Sequence, residues 1–298
     1  FMVVGVAGNC RTTGLDDLAA LADICRDHGV WFHVDACHGG SLIFHPGLKQ
    51  RHLAGIEHAD SVSLDPHKGL FTPYPSSYVV FKNRGVLNQF SRHTATVDAD
   101  GSWDLGLITP FLGSRGFESL ATWMMLQHIG TDQLGNIVAA RQALVRYLAS
   151  RLTATGLFTV LNDVDFYRVA FVFCPPRLRA AIAALPPHER RRAAAVISEH
   201  TSRLNARLYE SGTVCFDEHT LADLANRTGT GVGVGVGLTV MAACPGNPLI
   251  TRTDLDNAVA AVASAAADAY PALASDVFGD QEPATLGVAG PAGWSDAA

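Results

Sequence analysis

The sequence predicts an α/β protein, a large domain on a mostly parallel sheet followed by a smaller α+β domain. Three observations carry this reading. Residues 3–7 and 30–34 are short apolar runs rich in β-branched residues, as in strands buried on both faces. The segment between them has helical spacing, so residues 3–34 read as a β-α-β unit suited to a right-handed parallel crossover. Near residue 155 the pattern changes to short strands alternating with long helices.

Each element has a local reason. After the first strand, Thr12-Thr13-Gly14 reads as a turn, and Asp16 and Asp17 place acids in the first turn of a helix, where the helix dipole favours them. Leu18, Leu21, Ala22 and Cys25 recur at helical spacing, and His28-Gly29 ends the run. Residues 60–64 form a further strand, with residues 78–81 as its neighbour across a loop. A helix is predicted after Ser114, its N-cap, with Phe117, Leu120, Met124 and His128 on one face, and another over about residues 137–152. The boundaries set the large domain at 1–154, the small domain at 155–270 and a flexible tail at 271–298, rich in Ala, Gly, Pro and Asp. Within the small domain, residues 158–161, 167–173 and 234–242 read as strands, and 187–211 and 253–267 as helices. The run Gly231-Val232-Gly233-Val234-Gly235-Val236-Gly237 lacks the Lys-Ser/Thr pair and following helix of a P-loop, so it reads as a hinge or edge strand.

Composition excludes several classes of function. A chain of 298 residues with 48% hydrophobic and 17% charged residues buries a substantial core. The net charge is -6, and the basic residues are dispersed apart from Arg190, Arg191 and Arg192, so no basic stripe for nucleic acid is present. Six cysteines without CxxC spacing suggest reduced thiols and a cytoplasmic location. No uninterrupted apolar stretch has the length of a membrane span, and no signal peptide opens the sequence. The histidines fit no zinc spacing, and Ser76-Ser77 and the cysteines lack a His/Asp frame, so neither a metal site nor a hydrolase is supported.

Two segments carry chemistry. His33-Val34-Asp35-Ala36-Cys37-His38-Gly39-Gly40 and Ser61-Val62-Ser63-Leu64-Asp65-Pro66-His67-Lys68 each place a charged group just past the carboxyl end of a buried strand. Open α/β sheets bind ligands there. Taken singly, such a lysine is a solvated surface residue and such an aspartate a loop cap. As a pair beside His67 and the Gly39-Gly40 turn, they suit pyridoxal 5'-phosphate. That cofactor needs a lysine for its Schiff base and an acid to keep the pyridine nitrogen protonated. Lys68 and Asp35 are the candidates.

The motif HVDACHGG followed by DPHK resembles the group II pyridoxal-phosphate-dependent amino acid decarboxylases, which include the aromatic amino acid, histidine and glutamate decarboxylases. The resemblance covers residues 3–130 at motif level and continues more weakly to residue 268. It implies a fold-type I pyridoxal-phosphate enzyme, of which this chain is the C-terminal portion with part of the large domain. It also implies that Asp35 pairs with the pyridine nitrogen, Ala36 packs beneath the ring, Lys68 carries the Schiff base, His67 lies by the phosphate or Schiff base, and Asp65 is close to the phosphate. The segment 112–120 is similar to the family's loop-to-helix entry.

Departures from the family pattern are specific. The chain reads Gly8-Asn9-Cys10 where the family has Gly-Thr-Thr, so Cys10 replaces a hydroxyl that touches the cofactor. Gly69 follows the lysine in place of Trp, and Gly237-Leu238-Thr239-Val240 lacks the arginine that holds the substrate carboxylate, leaving Arg168 or Arg115 as candidates. The family's Gly/Ser-rich phosphate loop and ring-stacking residue have no counterpart. The expectation is therefore a second polypeptide that supplies the N-terminal half, in a hetero-oligomer with a dimeric core. The implied activity is a lyase acting on an amino acid, by decarboxylation through Lys68. The alternatives are another outcome at Cα or Cβ, oxidative deamination, a degenerate subunit supporting an active partner, or a binding module without cofactor.

Overall fold

The computed structural model describes residues 1–83, 85–89, 117–233 and 235–279. They form two compact units, Phe1–Gln142 and Ala143–Ala298. The division falls inside a helix, Thr131–Ala154, whose C-terminal end is where the change of sequence pattern places a boundary.

The first unit is built on a four-stranded sheet in the order β1-β2-β3-β4. Strand β1 (Met2–Val6) is followed by α1 (Leu18–His28) and β2 (Trp31–Asp35), and β2 runs parallel to β1 with Val6 opposite Asp35. Gly5 admits the helix to the sheet, since a Cβ there would meet Leu18, Leu21 and Phe32 at 3.0 to 3.1 Å. The acids before α1 act differently from their assignment to its first turn. Asp17 is the N-cap and accepts the N–H of Ala20, while Asp16 accepts the N–H of Val6 and ties the turn to the strand. Gly29 closes α1 in the left-handed conformation (φ 63°).

A 3-10 turn (Gly39–Phe44) and α2 (Pro46–His52) return the chain to β3 (Ser61–Leu64), which pairs parallel to β2 with Asp35 opposite Ser63. The one-turn helix α3 (Pro66–Gly69) follows directly, and β4 (Tyr78–Phe81) closes the sheet antiparallel to β3. Phe32, Val34, Leu42, Leu53 and Leu70 form the core beneath.

After the short α4 (Gly85–Asn88), the described chain resumes at α5 (Glu118–Ile129) and α6 (Thr131–Ala154). Ser114 and the segment 112–116 lie outside the described residues. The helical spacing sets Phe117, Leu120, Met124 and His128 along one face, and the structure exposes all of these and Trp123 as well, while Thr122 is buried. An apolar helix with no polar face gives no periodic clue to which side is covered.

The second unit carries an antiparallel sheet in the order β5-β6-β8-β7. Its strands are β5 (Thr159–Val160), β6 (Val169–Val172), β7 (Asp217–Leu221) and β8 (Leu238–Ala243). The helices are α7 (Arg179–Ala184), α8 (Pro187–Glu210) and α9 (Arg252–Phe278). Helix α8 packs on β8 and on α9, which starts with a Thr251/Asp254 capping box. The tail predicted from residue 271 is corrected here. Helix α9 continues to Phe278 because Leu273, Ala274 and Val277 bury a further apolar face, and only residues beyond 279 lie outside the description. The predicted strand 234–242 begins at Leu238, after glycines that include Gly237, where a Cβ would lie 2.3 Å from the Thr220 side chain.

One close approach fixes the turn after β2. A Cβ on Gly39 would lie 2.3 Å from the Ala7 carbonyl oxygen, which accepts the Gly39 N–H at 2.9 Å. Gly39→Ala should destabilise the protein by about 1–3 kcal/mol, because backbone rather than a flexible side chain must move. A lowered thermal unfolding temperature checks this, and an unchanged one contradicts it.

Candidate active site

Parallel pairing of β2 and β3 brings their carboxyl ends to one edge of the sheet. Asp35 is the last residue of β2, and its Oδ1 accepts hydrogen bonds from the Cys37 N–H at 3.0 Å and the Ser63 hydroxyl at 3.3 Å. The Cys37 thiol in turn donates to Ser63 Oγ at 3.5 Å. Burial alone would raise the Asp35 carboxyl, but the donors from Cys37 and Ser63 and the Lys68 charge outweigh it and hold the group below its ordinary value. The carboxylate form of Asp35 is therefore favoured, with the Cys37 thiol as a further hydrogen-bond partner of the carboxylate.

Lys68 is set by α3. Pro66 occupies the first turn, where its missing N–H costs nothing, and the Lys68 N–H donates to the Asp65 carbonyl at 3.0 Å. Its Nζ lies 2.9 Å from Asp65 Oδ2, with the two side chains 31% and 14% exposed. The sequence has three lysines, and Lys49 and Lys82 are exposed, so Lys68 is the amine partly withdrawn from water. Burial opposes its charge, yet the hydrogen bond and charge of Asp65 overcome this and hold the amine above its ordinary value. Asp65 is correspondingly held low, burial being outweighed by Lys68 and by the Ser77 hydroxyl.

The structure thus gathers Asp35, Cys37, Ser63, Asp65 and Lys68. His67 faces another way. Its Nδ1 lies 2.6 Å from the Ser76 carbonyl and 3.2 Å from the Ser76 backbone nitrogen, and Tyr74 packs edge-on at 4.6 Å. Tyr74 itself is 82% exposed. Ala36 is fully buried, with its N–H on the Ser63 carbonyl and its Cβ directed towards Gly40. Cys10 is exposed on the turn after β1, where Asn9 Oδ1 accepts the N–H groups of Arg11 and Thr12. In the second unit, Arg168 is paired with Asp217 at 3.1 Å, and Arg115 lies outside the described residues.

Ser63 and Cys37 were not singled out by sequence. A signal existed for Ser63, since strand alternation puts Ser61, Ser63 and Asp65 in one series, but only the register with β2 shows that the middle one meets Asp35.

The family model for the pyridoxal-dependent decarboxylase conserved domain matches residues 1–174. Cysteine sulfinic acid decarboxylase of Mus musculus is 28% identical over 263 residues, covering 86% of this chain and 49% of that protein. Aspartate 1-decarboxylase of Aliivibrio fischeri is 29% identical over 182 residues, covering 61% of this chain and 33% of that protein. The crystal structure of mouse CSAD in apo form is similar with a TM-score of 0.72 at 26% identity, covering 89% of this chain and 52% of that one. The chain spans about half the length of the mouse relative it matches.

Burial, and then Asp35, push the Cys37 thiol up to about 11. Since the thiolate is the reactive form, iodoacetamide at neutral pH should label the exposed Cys10 and Cys215 well before Cys37. Peptide mass mapping checks the order, and equal labelling of Cys37 and Cys10 would contradict it.

Proposed function

Because the chain belongs to the pyridoxal-dependent decarboxylase family, we propose that it carries the lysine and aspartate of a pyridoxal-phosphate-dependent amino acid decarboxylase. The observation that supports this most is the placement of Asp35 and Lys68 at the same end of paired parallel strands, each partly withdrawn from water. The donor set fits the cofactor: one partly buried primary amine, and one carboxylate held below its ordinary value by hydrogen bonds and the Lys68 charge. When bound, pyridoxal 5'-phosphate supplies an aldehyde for an amine and a protonated ring that withdraws electrons from a bond breaking at Cα.

In this reading Lys68 provides the amine. Asp35 would hold a proton at the ring nitrogen, and the Cys37 N–H and Ser63 hydroxyl restrain its carboxylate at Oδ1. His67, held by Ser76 and Tyr74, anchors the short helix that carries Lys68. The same residues would serve other bond cleavages at Cα, so product analysis decides between them. The family relation and the names of the relatives support loss of CO2 from an amino acid.

A second polypeptide is part of the proposal, supplying the phosphate-binding loop in a hetero-oligomer with a dimeric core in the reducing cytoplasm. Its support is the apolar surface left exposed on both outer strands, at Phe1, Met2 and Val4 by β1 and at Val79 and Val80 on β4. Exposed apolar strand surface of this kind ordinarily marks a contact with further protein.

With the assembled, cofactor-loaded protein, Lys68→Ala should abolish both the visible absorbance of the lysine-bound cofactor and the release of CO2 from a panel of amino acids. Asp35→Asn should keep the absorbance and lower kcat by about 100-fold or more. Persistence of the absorbance in the Lys68 variant would refute the assignment.

A further inference from the structure

Asp65 stands where an acid ordinarily caps a helix, and it does not do so. It occupies the N-cap position of α3 with extended backbone (φ -114°, ψ 95°), yet its side chain makes no capping hydrogen bond. An aspartate there normally satisfies a first-turn N–H. Its Oδ2 instead meets Lys68 Nζ at 2.9 Å, and its side chain is 14% exposed. A carboxylate so far withdrawn from water needs a positive partner. Among the described residues, the titratable groups that bear on Lys68 are Asp65, Cys37 and Asp35, and of these only Asp65 is in ion-pair contact with it. Asp35 is held instead by the Cys37 N–H and the Ser63 hydroxyl at Oδ1.

The charges then constrain what Lys68 can be. On the reading that Lys68 carries the cofactor, Asp35 is neutralised by the proton on the ring nitrogen. Asp65 also has the Ser77 hydroxyl and the Cys37 side chain as neutral partners, but it keeps a positive one only if Lys68 Nζ retains a proton after it has been joined to the aldehyde. We propose that Asp65 is the counter-ion of Lys68 Nζ, a positioning residue that keeps a proton on this nitrogen both when the amine is free and when it holds the cofactor. The joining step balances: the aldehyde oxygen leaves as water with two of the three hydrogens of the Lys68 ammonium, a C=N bond replaces C=O, and the third hydrogen stays on Nζ facing Asp65. This task differs from lying beside a phosphate, where two anions would repel. It rests on the functional reading above and adds a role that reading does not require.

The test is a pH titration of the visible absorbance in the assembled, cofactor-loaded protein. Asp65→Asn should lower the midpoint for proton loss by about one to three pH units, and Asp65→Glu should recover part of the shift. An unchanged midpoint in Asp65→Asn overturns the inference while leaving a Lys68-dependent absorbance, and with it the functional reading, intact. Should the Asn variant fail to hold cofactor, acetic anhydride labelling of the cofactor-free protein across pH gives the second measurement. Mass mapping of the Lys68 peptide should show acetylation starting at lower pH in Asp65→Asn than in the parent protein, and coincident profiles overturn the proposal.

Discussion

The parallel pairing of β2 with β3 is the constraint on which the rest of the site depends. Parallel strands end on the same side of a sheet, so residues that follow β2 and β3 meet there although they are far apart in sequence. The register sets Asp35 opposite Ser63, and the turn into α3 then carries Lys68 back over the strand ends. A slip by one residue would turn Asp35 to the other face and leave its carboxylate without the Ser63 hydroxyl. The buried Phe32 and Val34, on the alternate face of β2, hold the register against such a slip. Gly39 protects the same geometry, since the chain can pass Ala7 only without a side chain.

On this frame the site separates two carboxylates by their partners. Asp35 is held by neutral donors from its own turn and from the next strand, which stabilise its charge without cancelling it. Asp65 is held by a cation. One acid therefore remains available for an external positive group, and the other is matched within the protein. This division follows from where the hydrogen bonds fall, because burial pushes both carboxyls in the same direction.

Much of this was legible in the residues. The apolar runs around 3–7 and 30–34 with a helical stripe between them mark the β-α-β unit, and acid and amine past strand ends mark the site. The partners of those groups were less legible, because Ser63 and Cys37 act through cross-strand register and Asp65 through a side-chain direction that overrides its capping preference. Strand β7 was missed since Asp217-Glu218-His219-Thr220-Leu221 is polar and only half covered, giving neither an apolar run nor clean alternation. The end of α9 was missed because Pro271 and the alanines around it resemble linker composition, whereas Tyr270, Leu273 and Val277 are in fact buried at helical spacing. The covered face of α5 could not be read because its apolar residues surround the helix.

The central claim is that the amine at position 68 is the one that joins the cofactor. Borohydride reduction of the loaded protein, proteolysis and mass spectrometry test it directly, and the small number of lysines makes the outcome unambiguous. The account predicts a reduced pyridoxyl group on the peptide containing Lys68. A label on Lys49 or Lys82, or on no lysine of this chain, would contradict it.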